Sequence, residues 1–189
     1  MKIGFFGGCF NPPTNVHIDI AKELINDNIV DKVIFVPIGD FYKKQELVSI
    51  DKRCMMLKLA TKYIENVAVD DFEKDIKNTI FAADAFRIIS NNYKQHQIYF
   101  IMGSDNFLKM SSWKEYHDII NSYNYIVVER DGNKIIEERK NVIFYYPKKE
   151  YNYDSTLVRK LIKKRKNIDN MINLEVKKYI ETNELYIKL

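Results

Sequence analysis

Apolar residues in this chain gather in short unbroken runs, and the segments between the runs carry a helical period. Lys2–Phe6 is the first run, stopped by Gly7-Gly8, and reads as a buried strand closed by a tight turn. His17–Ile25 follows with Ile18, Ile20, Ala21, Leu24 and Ile25 at helical spacing. Asp31–Pro37 predicts a second strand, Ile50–Ile64 an apolar helix, Val67–Asp70 a short strand and Ile80–Ile89 a helix. Ile98–Met102 is a fourth strand ending at Gly103, Ser104–Lys109 and Trp113–Asn121 read as short helices, and Tyr123–Val128 and Val142–Tyr145 as the last strands. Two helices, Thr156–Lys164 and Leu174–Thr182, follow. Strands that lack polar alternation and are separated by helices belong to a parallel sheet covered on both faces. The fold class expected is therefore α/β, one Rossmann-like domain over residues 1–189 with a helical C-terminal end.

Composition narrows the class of activity more than it narrows the fold. Hydrophobic residues are 46% of the 189 and charged residues 30%, a globular balance that excludes disorder. A net charge of +4 suits an anionic small molecule and does not demand nucleic acid. The basic run Arg159, Lys160, Lys163, Lys164, Arg165, Lys166 has no interleaved aromatics and reads as a solvated helix face, so no nucleic-acid partner is expected. No apolar run reaches the 18 or so residues of a membrane helix, and two distant cysteines give neither a disulfide framework nor metal spacing. A cytoplasmic protein with no membrane partner is the expectation. A homo-oligomer stays open.

Candidate chemistry concentrates after the first strand. Three of the six glycines lie in the first eight residues, and Gly7-Gly8-Cys9-Phe10-Asn11-Pro12-Pro13-Thr14-Asn15-Val16-His17 runs into a helix. At the carboxyl edge of a parallel sheet, such a turn offers backbone N–H groups and a positive helix end to a phosphate. The spacing is not GxGxxG, which lowers the case for a dinucleotide dehydrogenase. A second anion site is legible at Tyr151–Arg159, where Thr156 and Arg159 share a helix face beside Ser155. An ordinary N-cap at Asp154 or Ser155 is the plain alternative.

The first stretch resembles the GGxFxPxHxGH signature of the nucleotidylyltransferase superfamily, the fold of nicotinate- and nicotinamide-nucleotide adenylyltransferases. Gly7, Gly8, Phe10, Pro12 and His17 match, whereas Thr14 and Val16 replace the usual His and Gly. The second stretch resembles that superfamily's ISSTxIR motif, with Asp154 in place of the first serine. A carboxylate there repels a triphosphate unless Mg²⁺ intervenes or it turns away as the cap. Ile101–Asp105 with Ser112-Trp113 is similar to the nicotinate enzymes' (I/G)GxD…W block, and Lys44 through Ala60 to their PPHK…R..MLKLA segment.

The resemblance implies a nucleotidylyltransferase fold and adenylyl transfer from ATP to nicotinate mononucleotide, with Mg²⁺ carried on the ATP phosphates. It assigns His17, Lys44 and Arg159 to catalysis. Gly8, Cys9, Phe10, Thr14, His17, Gly103, Asp105, Ser155, Thr156 and Arg159 would contact ATP, Cys9 mainly through its backbone. Lys44, Thr79, Ser112 and Trp113 would contact the pyridine nucleotide, with Trp113 stacking on its ring. No protein metal site is implied. Two other readings stay open: a phosphopantetheine adenylyltransferase, favoured by Thr14-Asn15-x-His17, and a nucleotide-binding protein without catalysis, given Asp154 and Val16. Choice between nicotinate and nicotinamide is not settled by the sequence; Lys114, after Trp113, would favour the carboxylate.

Overall fold

The computed structural model describes residues 1–42, 46–129 and 139–187. Among these residues six strands, β1 (Lys2–Gly8), β2 (Lys32–Pro37), β3 (Val67–Val69), β4 (Gln97–Gly103), β5 (Asn124–Val128) and β6 (Val142–Tyr145), make one sheet in the order β3-β2-β1-β4-β5-β6. Every neighbouring pair is parallel. The order reverses between β1 and β4, so the crevice that receives ligands in such sheets opens beyond the carboxyl ends of these two strands.

Alternation along the strands divides the core in two. Phe6, Val33, Phe35, Ile101, Ile126 and Val128 face one side, under α1 (Asn15–Asn26), α2 (Ile50–Thr61), α6 (Ser155–Lys163) and α7 (Leu174–Thr182). Phe5, Ile34, Val36, Phe100, Met102 and Val127 face the other, under α3 (Ala82–Asn92), α4 (Ser104–Lys109) and α5 (Tyr116–Ser122). Both faces are covered, which explains why the strand sequences show no polar alternation. Among the described residues no helix is long and apolar enough to cross a membrane.

Two expectations are adjusted. Trp113 does not open a helix: Met110–Ser112 is a short 3-10 turn, Trp113 is extended, and α5 begins only after Glu115, whose φ of 60° is left-handed. That backbone turn interrupts what the periodicity joined. Within the basic run, Arg159 and Lys163 are not a purely solvated face, because both pair with Glu46 from the loop before α2.

Candidate active site

The turn after β1 is shaped by a ring. Phe10 is buried in the left-handed region (φ 47°), and its ring packs edge-on to Phe6 and Phe35. A Cβ on Gly8 would stand 3.0 Å from that ring, so only glycine fits without a shift. At Gly7 a Cβ would meet nothing within 4 Å, because the backbone there borders open space. Phe10 thus contributes packing with its side chain, and the loop's backbone carries the surface that faces the crevice.

Thr14 caps α1, and its N–H donates to His17 Nδ1 at 3.0 Å, with the Thr14 hydroxyl oxygen 2.8 Å from the same nitrogen. An Nδ1 that accepts leaves the neutral ring's proton on Nε2. The imidazole is wedged beside Phe10 at 5.2 Å and Phe6 at 6.0 Å between ring centres, which limits its freedom to swing.

The loop is held from below by Arg53, which stands in the segment similar to PPHK…R..MLKLA, and by Asn11. Arg53 is fully buried in α2 and donates to the carbonyls of Val48 and Cys9 (2.8 and 3.1 Å) and to Asp40 Oδ1 (2.9 Å). Asn11 is also buried: its Nδ2 donates to the Glu46 carbonyl, and its Oδ1 accepts from Tyr186 Oη, both at 2.8 Å. Its own carbonyl accepts from Arg159 Nη1 at 2.8 Å. The segment match carried no role for Arg53, and Asn11 fell on an unspecified position of the first motif, so neither announced this role.

At α6 the structure decides what Asp154 does. Its Oδ1 accepts from Leu157 N–H at 2.7 Å, making it the helix cap. Ser155 Oγ donates to the Pro12 carbonyl at 2.8 Å and so ties α6 to the glycine turn. Arg159 is 14% exposed and gives Nε to Glu46 Oε2 at 3.2 Å. The Glu46 carboxyl is lowered from its ordinary value by its bonds to Lys163 and Arg159.

These pieces enclose a cavity of about 380 Å³ lined by Gly7, Gly8, Cys9, Phe10, Asn11, Thr14, His17, Gly103, Asp105, Ser155, Thr156 and Arg159, among others. All ten residues expected to touch ATP lie on it. Asp105 Oδ1 is buried and has no hydrogen-bond partner, an unusual state for a carboxylate in a cavity wall. A second cavity of about 630 Å³ continues along α1, sharing Val16, Ile20, Tyr153 and Asp154 with the first.

Residues expected on the pyridine side do not line that cavity. Lys44 lies outside the described residues. Thr79 is exposed before α3, Ser112 is exposed with its hydroxyl donating to the Lys109 carbonyl at 2.8 Å, and Trp113 is half-buried against the core under α3–α5. Their segments nevertheless touch. Tyr42 Oη donates to the Ile80 carbonyl at 2.7 Å, and Lys114 Nζ sits 4.6 Å from the centre of the Phe81 ring. Burial pushes the Tyr42 phenol up to about 12, so it stays a donor. Residues 42, 79–81 and 112–114 thus form one strip.

A cytidylyltransferase-like family model matches residues 5–161, spanning both anion-site stretches. The chain belongs to the cytidylyltransferase-like family. Within it, the chain is 31% identical over 190 residues to the "Probable nicotinate-nucleotide adenylyltransferase" of Borrelia hermsii, covering 100% of this chain and 99% of the relative. It is 29% identical over 187 residues to the nicotinate-nucleotide adenylyltransferase of Bacillus subtilis, covering 98% of each. Among solved structures, the Plasmodium falciparum nicotinic acid mononucleotide adenylyltransferase complexed with NaAD superposes with a TM-score of 0.85 at 20% identity, covering 98% of this chain and 97% of that one. At that identity the likeness bears on the fold, and the α/β nucleotidylyltransferase architecture is the one expected of this family.

Proposed function

We propose that this protein transfers the adenylyl group of ATP to nicotinate mononucleotide, releasing pyrophosphate and forming the deamido dinucleotide. The observation that carries this reading is the convergence of the glycine turn, His17, Asp105 and Arg159 on one cavity at the reversal of strand order. The names of the full-length relatives supply the acceptor.

In this reading an oxygen of the acceptor's phosphate attacks the α-phosphorus of ATP in line. The new O–P bond forms as the bond to the bridging α–β oxygen breaks, and pyrophosphate departs. Both reactants are anions, so positioning and charge neutralisation do the catalysis. His17 Nε2–H donates to the α-phosphate as charge develops there, its orientation fixed by the Thr14 bonds to Nδ1. Backbone N–H groups at the turn, with Thr156 and Arg159, hold the phosphates beyond it. Ser155 acts through the turn, since its hydroxyl is bonded to Pro12. Asp105 Oδ1 accepts from the ATP ribose, which would give that buried oxygen a partner. The larger cavity beside Tyr153 leaves room for the adenine. Lys44 holds the acceptor phosphate, and Thr79, Ser112 and Trp113 the pyridine ring.

Among the described residues no group of three or more histidines, cysteines or carboxylates is placed to hold a metal, and Asp154 is engaged as a cap. Mg²⁺ would be held by phosphate oxygens and water, where it would offset charge between the phosphates. Pyrophosphate release from ATP and Mg²⁺ tests the reading: it should require nicotinate mononucleotide, and its absence with protein shown to bind ATP contradicts it.

A further inference from the structure

The Glu46–Arg159–Lys163 contact has a geometry beyond what an exposed ion pair needs. Lys163 follows Arg159 by one helical turn, so both project from the same face of α6. They reach the two oxygens of a single carboxylate: Arg159 Nε bonds Glu46 Oε2 at 3.2 Å, and Lys163 Nζ bonds Oε1. The side chains are 14% (Arg159), 24% (Glu46) and 31% (Lys163) exposed, which reduces screening. Glu46 itself is pinned, with φ at 64° and its carbonyl held by Asn11. The next residue, Leu47, lines the same cavity as Arg159.

We propose that Lys163 joins Arg159 in binding the terminal phosphates of the nucleotide and the departing pyrophosphate, and that the Glu46 carboxylate is an internal anion those phosphates displace. This rests on ATP occupying the Arg159 side of the cavity. Arg159 gives Nε to Glu46 and Nη1 to the Asn11 carbonyl, so a phosphate oxygen that takes Nε competes with the carboxylate for it. The Glu46 carboxyl is lowered by its two cations and remains charged at neutral pH, so the competition is between full anions. Lys163 brings the phosphate end a second cation that the glycine turn and Arg159 do not supply.

The experiment is steady-state kinetics on E46Q, K163M, their double variant and R159A, with ATP, Mg²⁺ and nicotinate mononucleotide, and with pyrophosphate as product inhibitor. E46Q should lower the ATP KM and the pyrophosphate Ki by roughly three- to tenfold, leaving the acceptor KM unchanged. K163M should raise both constants by a similar factor, and should still raise them in the E46Q background. Thermal melting of each variant confirms that it folds. A higher ATP KM in E46Q overturns the proposal, since Glu46 would then be orienting Arg159 or holding a cation on the phosphates. So does K163M without effect once Glu46 is neutral, for the lysine would then serve only the carboxylate. If R159A leaves ATP and pyrophosphate constants unchanged, the placement of ATP itself fails. If R159A weakens both while E46Q changes neither, the proposal is overturned and the placement of ATP stands.

Discussion

The two halves of this crevice are built differently. On the donor side, the glycine turn, α1 and α6 bring their residues onto one cavity wall, fastened by Arg53, Asn11 and Ser155. On the side proposed for the pyridine nucleotide, Thr79 sits on one connection and Ser112 and Trp113 on another; Tyr42 bonds the Ile80 carbonyl and Lys114 Nζ lies over the Phe81 ring. Phosphate at a glycine turn is held in part by backbone N–H groups, and backbone geometry must be fixed before the ligand arrives. A flat ring is held by side chains that can settle around it.

If that contrast is right, substitutions should separate the two halves. The largest effect is expected from His17→Ala, which should cut kcat by roughly a hundred- to a thousandfold in a protein that still folds. Turnover near the unmodified level would remove His17 from the chemistry. Arg53→Met comes next. It strips bonds from two loop carbonyls and should destabilise the fold by about 2–3 kcal/mol while raising the ATP KM more than the acceptor KM. Chemical denaturation combined with kinetics on both substrates checks it, and an equal rise in the two constants would blur the division.

Trp113→Ala should raise the acceptor KM about tenfold and leave the ATP KM within about twofold. Parallel loss of both would make Trp113 only a packing residue of the core beneath α3–α5. Lys114→Met should lower the preference for nicotinate over nicotinamide mononucleotide by only a few-fold, because the amine is exposed. An unchanged ratio of kcat/KM values would assign that choice elsewhere.

The smallest effect concerns pH. Burial raises the Tyr145, Tyr151 and Tyr186 phenols above their ordinary range; Tyr145 bonds Glu23 and Asp27, Tyr151 bonds Asp19 and Tyr186 bonds Asn11. Their contribution to stability is complete below the unfolded-state value near 10 and declines as pH rises beyond it. Urea midpoints at pH 8 and pH 11 should therefore fall at the higher pH, and less so in Tyr186→Phe.

Legibility followed the same divide. Sheet and helices were readable because a parallel sheet buried on both faces leaves unbroken apolar runs, and the glycine turn was readable because its backbone needs particular residues at adjacent positions. The fault at Trp113 arose where periodicity continued across a left-handed Glu115, a feature no apolar spacing encodes. Asp154 was legible as a cap in principle, and its hydrogen bond to Leu157 makes it one. Arg53, Asn11 and Glu46 were hidden for a shared reason: each acts on a segment distant in sequence, Asn11 reaching Tyr186 across 175 positions.

The most direct test of the central claim is pyrophosphate release from ATP and Mg²⁺ in parallel reactions with nicotinate mononucleotide, nicotinamide mononucleotide and phosphopantetheine. The expected result is rapid release with nicotinate mononucleotide, little with nicotinamide mononucleotide and none with phosphopantetheine. Release with phosphopantetheine alone, or silence with all three from protein that binds ATP, would contradict it.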